Sequence, residues 1–383
     1  MAGSVKIAFV IDSLGSGGAQ RQLVELAAHL QQNGAVRCAV VVYHAEDFFG
    51  PRLREAGIPV LRLAHRRRID PALVWQLRGT LRQLRPDLVH AFLLAPCLWT
   101  LAALALPGGG PRPRFLAAER NSRIASSPGE YWLQKLVYGF ADAVTVNAAA
   151  VGPMIHQRLG IPREQIHVLP NGIDLERWDR AAAEPCPLSL EPEHLHIGVL
   201  AGLRPAKNHE ALIRALEQLG AERTRGWRVW CIGDETGGPA FAEQLRRRAA
   251  RSPIAGILRF LPAVSNPAPL LRALDLLVLP SLWEGFPNVV LEASASRIPV
   301  LATAVGAAPE LILDGVSGRI VAPGDEGELA QALLDLGTCD PATRREMGEA
   351  GRRHVERAFS LPQVARRYLE LYGQLAKPAH HAL

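Results

Sequence analysis

The strongest constraint on this chain is an alternation that runs twice. Short apolar runs alternate with amphipathic helical patterns through the first half, pause, and begin again at Leu195. In the first set, "KIAFVID" reads as a buried strand and "GAQRQLVELAAHLQQNG" as a helix stopped by Gly34. "VRCAVVVYH", "DLVHAFL", "RFLAAE" and "ADAVTVNA" read as further strands, and "IPREQIHVLPNGID" as a strand ending in a Pro-Asn-Gly turn. The pause is "RAAAEPCPLSLEPEH", Arg180–His194, rich in Pro and Ala and the best linker candidate. The second set offers the strands "LHIGVLAGL", "WRVWCIGD", "LRFLPA", "LDLLVLPS", "PVLATAVG" and "GRIVAPG", with helices "NHEALIRALEQLG" and "FAEQLRRRAAR" between them. This rhythm predicts parallel βαβ units and doubly wound sheets. The expectation is an α/β protein of two Rossmann-like domains, 1–185 and 193–360, facing an interdomain cleft. A length of 383 residues is too great for one ordinary core and agrees with two domains.

Composition narrows the class. A hydrophobic fraction of 48% and a charged fraction of 21% are those of a soluble globular protein. The five cysteines, Cys38, Cys97, Cys186, Cys231 and Cys339, are odd in number, widely spaced and form no CxxC. They read as reduced structural thiols of a cytoplasmic protein, not as a zinc site or a disulfide framework. "MAGSVKIAFVIDS" runs straight into a strand pattern and does not read as an export signal. Leu88–Leu106 contains no charged residue and imitates a membrane span in length. Pro96 interrupts it, so a buried strand followed by a buried helix accounts for it better.

The charge of +6 is uneven: residues 1–190 carry 21 Lys+Arg against 15 Asp+Glu, whereas 191–383 carry 22 of each. Nine arginines fall within Arg52–Arg85 against Glu55 and Asp70. They read either as a solvated basic face or as a patch for anionic lipid or a phosphate-bearing acceptor. The region lacks interleaved aromatics and no recognition module appears, so nucleic acid is set aside as a partner.

Three loops carry candidate chemistry. "DSLGSGGAQRQL", Asp12–Leu23, follows the first strand and opens a helix. Gly17 and Gly18 bring backbone amides to a helix N-terminus, which suits a phosphate; a plain tight turn is the other reading. Gln20 stands where a dinucleotide fingerprint needs Gly, and no GK[ST] follows. "LAGLRPAKNHEALI" holds the equivalent place in the second half. Its Arg204 and Lys207 can clamp a diphosphate, or be two ordinary exposed cations. "LPSLWEGFPNVVLEASA", Leu279–Ala295, places Glu284 past the end of a buried strand and Glu292 on the next helix. Pro287 suits the first turn, the amides of Asn288, Val289 and Val290 are expected to be free, and Glu292 suits two sugar or ribose hydroxyls.

Taken in order, "SGGAQRQL", "PNGID", "LRPAKNHEALI" and "EGFPNVVLEA…PVLATAVGAAPELI…GVSGRIV" resemble the GT4 family of retaining glycosyltransferases of GT-B fold. The resemblance spans nearly the whole chain and is strongest from Leu200 to Val321. It implies that Glu292 accepts the ribose hydroxyls of a nucleotide sugar. Glu284 would contact the donor sugar beside the backbone of Phe286, Pro287, Asn288 and Val289. It further implies that Lys207, with Arg204, neutralises the leaving diphosphate. Gly17 and Gly18 would line the donor phosphate or the acceptor side, and the final helix, 361–376, would pack back on the first domain. On this view both carboxylates meet sugar hydroxyls and not protein cations. Glu284, Arg120 and Lys207 are the expected catalytic residues, with Arg120 and Asn121 on the acceptor side. The family's retaining front-face attack asks for no dedicated nucleophile, cofactor or metal, and the chain has no Asp-x-Asp.

Two positions depart from the pattern. Gly202 stands where many relatives carry Arg, and Glu119-Arg120-Asn121 stands where many carry His. His90, in its apolar run, reads as a satisfied core histidine. The resulting expectation is a transferase moving a hexose or N-acetylhexosamine, UDP-linked by family habit, to a glycan or lipid-linked glycan. The setting would be cell-surface polysaccharide synthesis, with peripheral contact to anionic membrane. The competing reading is a non-catalytic nucleotide-sugar-binding scaffold subunit; turnover of donor by the isolated chain separates the two.

Overall fold

The computed structural model describes residues 4–65, 70–107, 111–120 and 127–376. The chain divides into two compact units, Met1–Gly172 with Leu361–Leu383, and Ile173–Ser360.

The first unit holds seven strands: β1 (Val5–Val10), β2 (Val36–Val42), β3 (Val60–Arg62), β4 (Leu88–Phe92), β5 (Arg114–Glu119), β6 (Ala143–Val146) and β7 (Ile166–Val168). Their order is β3-β2-β1-β4-β5-β6-β7, every pair parallel. The central strands are apolar throughout because helices cover both faces of a parallel sheet. The order reverses between β1 and β4, which makes their C-terminal ends the expected ligand position.

The second unit holds β8 (Leu195–Leu200), β9 (Trp227–Ile232), β10 (Leu258–Leu261), β11 (Leu276–Leu279), β12 (Val300–Thr303) and β13 (Gly318–Val321). Their order is β10-β9-β8-β11-β12-β13, again all parallel. Here the reversal lies between β8 and β11, whose loops carry Lys207 and Glu284.

The Leu88–Leu106 run splits into β4 and the helix Leu94–Ala105, with Leu93 at φ 75° between them. No helix among the described residues is long and apolar enough to cross a membrane. All five thiols are free. Burial pushes those of Cys38 and Cys231 up to about 12, as inert structural thiols require.

The divide at Gly172 falls before residue 185, where composition put it. The cause is the helix Leu175–Ala182, which side chains tie to the second unit. Trp178 Nε1 donates to Ser296 Oγ at 3.0 Å, and both Asp179 oxygens accept from the Arg352 guanidinium at 2.8 Å. A forked pair of this kind fixes orientation as well as distance. Gly172 itself permits close passage: a Cβ there would meet the Leu361 Cα at 3.2 Å. The final helix, Leu361–Ala376, buries Val364, Ala365, Tyr368, Leu371 and Tyr372 in the first unit's core.

Candidate active site

In the second unit, three loops at the C-terminal ends of β8, β11 and β12 are stitched together by backbone. Leu282 N–H donates to Ala206 O at 2.8 Å, and Ala307 N–H to Gly285 O at 3.0 Å. Leu203 N–H donates to Asp234 O at 2.7 Å, which ties in the loop after β9. Gly306 has φ +54°, and a Cβ there would collide with the carbonyl oxygens of Glu284 and Gly285. A side chain at this position would therefore push the Glu284 loop away. Gly202 has a similar spatial reason: a Cβ would press on Asp234 Oδ1 at 2.6 Å and on Thr236 Oγ1. An Arg at 202 would need both of those side chains to move.

These loops place Lys207 Nζ 2.6 Å from Glu284 Oε1, although the two residues are 77 positions apart. Ser281 Oγ donates to the same oxygen at 2.6 Å. Ser281 is fully buried, and its own carbonyl accepts from Thr303 Oγ1 at 2.6 Å. The expectation that Glu284 meets only sugar hydroxyls is thus corrected, because its carboxylate is paired with a protein cation. The physical reason is the cost of a bare carboxylate in so apolar a place: the Glu284 side chain is 10% exposed. Both bonds fall on Oε1, so Oε2 is the oxygen left for a ligand.

Glu292 lies buried on the helix Asn288–Ala295. That helix starts after Pro287 without a side-chain cap, and Phe286 is buried against Phe359. Of the three amides expected to be free there, Val290 N–H is taken by Pro287 O at 2.9 Å. Arg204 is exposed just before the turn Pro205–Lys207.

Sequence reasoning missed two residues. Ser281 sits in plain view in "LPSLWEG", but only its burial beside Glu284 shows what it does. His209 opens the helix His209–Arg223 with its ring 1% exposed and both nitrogens without a hydrogen-bond partner. Burial, then the Lys207 charge, brings its pKa down to about 4, so it adds no second charge beside the lysine.

In the first unit, Gly17 caps the helix Gly18–Gln32 without a side-chain cap, and both glycines are exposed. Gln20 has a structural task. Its Nε2 donates to Asp12 Oδ1 at 3.0 Å, and its Oε1 occupies the space that a Cβ on Gly17 would need. Arg120, at the end of β5, is buried. It donates from its guanidinium to Tyr368 Oη at 2.8 Å and packs over the Phe92 ring at 4.6 Å, leaving Nε without a partner. Glu119 accepts from Arg120 N–H at 2.8 Å and from Tyr138 Oη at 2.6 Å. His90 is fully buried between Tyr372 Oη at 2.8 Å and Thr145 Oγ1 at 3.1 Å. Burial, then Arg120, holds it well below the usual histidine range. It is a satisfied core histidine. Asn121 lies outside the described residues.

Against this geometry, residues 16–177 match the model for "Glycosyltransferase Family 4" and residues 192–338 that for "Glycosyl transferases group 1". A D-inositol 3-phosphate glycosyltransferase of Streptomyces avermitilis is 34% identical over 226 residues, 56% of this chain and 48% of that protein. Its counterpart from Nocardia farcinica is 32% identical over 280 residues, 70% of this chain and 61% of that protein. The chain therefore spans about half to three-fifths of the length of these relatives. Among solved structures, a glycosyltransferase from Rickettsia africae aligns with a TM-score of 0.81 at 21% identity, over 98% of this chain and 100% of that one. HepE of Anabaena in complex with UDP aligns at 0.80 and 21%, over 97% and 100%. These likenesses establish a two-domain GT-B fold. The chain belongs to glycosyltransferase family 4.

Proposed function

We propose that this chain transfers a hexose or N-acetylhexosamine from a UDP-sugar to a glycan or lipid-linked glycan, with retention and without a metal. The carrying observation is the Lys207–Glu284–Ser281 constellation at the strand-order reversal of the second unit. Breaking the anomeric bond leaves a diphosphate with growing negative charge and a sugar with oxocarbenium character. Lys207, with the exposed Arg204, neutralises the diphosphate. Glu284 offers Oε2 to the donor sugar while Ser281 holds Oε1 in place. Glu292, from the next helix, accepts the ribose hydroxyls. Phe286, Pro287, Asn288 and Val289 line the donor beside it. Gly17 and Gly18 in the first unit supply neutral amides. Positioning and electrostatics carry most of the acceleration.

The donor class is supported by the HepE complexes with UDP and with UDP-glucose. The acceptor is less constrained. The relatives' name points to a phosphorylated inositol, and Arg120 favours an acceptor with an anionic group: its buried guanidinium is met by a phenol and a ring, with Nε still open. Arg120 and Asn121 are the proposed acceptor contacts.

The test is calorimetric titration of the chain with UDP, GDP and ADP in EDTA, for wild type and Glu292→Ala. Micromolar UDP binding that the variant loses supports the reading, and turnover of a UDP-sugar in EDTA completes it. Binding without turnover of any donor, with glycan and inositol phosphate acceptors present, would favour the scaffold alternative.

A further inference from the structure

We propose that the outward face of the helix Pro128–Gly139, in the first unit, docks on an anionic lipid bilayer. This goes beyond the donor-site reading and does not depend on it. The helix is apolar on two sides. Gln134, Val137 and Tyr138 face inward and are buried. Trp132, Leu133, Leu136 and Phe140 follow one another at helical spacing on the other side, exposed by 64, 40, 47 and 60%. They line a shallow recess of about 710 Å³. A surface helix normally turns charged residues to water, and a contiguous apolar patch marks a contact surface.

The charges around the patch select the occupant. Lys135 stands within it, its Nζ 5.5 Å from the Trp132 ring centre and 5.9 Å from that of Tyr131. The neighbouring helix, Leu94–Ala105, has no charged residue. The helix beyond it, Pro71–Leu84, has no acid and exposes Arg82 and Trp75; its other arginine, Arg78, donates to Ala103 O. Glu130 is the one carboxylate on the three helices. Indole rings flanked by cations suit the boundary between acyl chains and anionic headgroups. The stretch before the helix Pro71–Leu84, from Arg52 to Arg62, is the weaker candidate, since its charge is paired within the protein. Arg52 pairs with Glu25, and Arg54 and Arg62 both pair with Asp47. Arg66, Arg67 and Arg68 lie outside the described residues.

The experiment is flotation of the full chain with phosphatidylcholine vesicles, with and without phosphatidylglycerol. The expected result is binding to the anionic vesicles only. Trp132→Ser/Leu136→Ser/Phe140→Ser should weaken it by about tenfold or more, and Lys135→Glu by about fivefold at low salt. The substituted side chains are exposed, so the unfolding midpoint should hold; Trp132→Ser alone serves if the triple variant does not fold. Three results would overturn the proposal: no binding by wild type at low salt, equal binding by the apolar variants, or a wild-type dimer that the triple variant dissolves.

Discussion

The loops that follow the first strand of each unit hold equivalent places and are made of different chemistry. After β1, Asp12 is occupied by the Ser13 amide at 2.7 Å and by Gln20, and the turn itself carries Gly17 and Gly18, with no cation before Arg21 inside the helix. After β8, the turn brings Arg204 and Lys207, and the lysine is already held by a carboxylate from another loop. The same strand-to-helix turn therefore offers backbone amides in one unit and a pair of cations in the other. In the proposed reaction, which creates a diphosphate, charge is the scarcer resource, and the Lys207 loop should carry most of the rate.

Lys207→Met is the sharpest way to break that comparison. It should cut kcat by about 10²–10³, the range for losing one preorganised donor. Gly17→Ala should cost less than about tenfold, because its new Cβ meets only the far end of the Gln20 side chain. Steady-state kinetics with a UDP-sugar measure both. A larger loss at Gly17 than at Lys207 would reverse the assignment of charge to the second unit.

The buried histidines sharpen it further. His209 and His90 both have folded pKa values below the ordinary one. Each therefore contributes stability that is whole above about pH 6.5 and is lost as pH falls. For His209 the loss runs from about pH 6.5 to about 4 and reaches about 3 kcal/mol. Their surroundings differ: His90 is bonded at both nitrogens and His209 at neither. His209→Leu should keep the Tm at pH 8 and flatten its fall toward pH 4. His90→Leu should lower the Tm at pH 8 already, by stranding the Tyr372 and Thr145 hydroxyls. Melting curves across this pH range separate the two, and a fall in Tm at pH 8 for His209→Leu would reveal a partner for its ring.

A further pair of effects concerns support of the charged groups. Ser281→Ala removes one hydrogen bond to the Glu284 carboxylate and should lower kcat about tenfold, with Ser281→Thr restoring part of it. Tyr368→Phe removes the Arg120 partner in the first unit and should cost about 1–2 kcal/mol of stability while leaving donor KM unchanged. A change in donor KM for Tyr368→Phe as large as that for Ser281→Ala would count against an acceptor role for Arg120.

Much of the scaffold was legible because parallel strands covered on both faces must be apolar along their length. The runs ending at Val10, Val42, Phe92, Glu119 and Val146 are strands where the pattern puts them. β3 escaped, since three residues are too few to show a period. The site was legible as a set of residues: Lys207 and Glu284 are both marked by their loops. Their contact was not legible. Nothing in the spacing of residues 77 apart says that one neutralises the other.

The sequence alone determined the alternation of strand and helix, the two-sheet architecture, and which loops carry cations, glycines and carboxylates. These are local properties of periodicity and turn chemistry. Only the tertiary structure decided that the β8 and β11 loops meet, which gives Glu284 a cation and a buried serine. It also decided that the helix Leu175–Ala182 belongs with the second unit, that Arg120 is backed by Tyr368 from the far end of the chain, and that the helix Pro128–Gly139 turns aromatics to solvent. Each depends on which strands lie side by side in a sheet. Strand order is settled by how whole faces bury one another, and no single stretch of sequence carries that information.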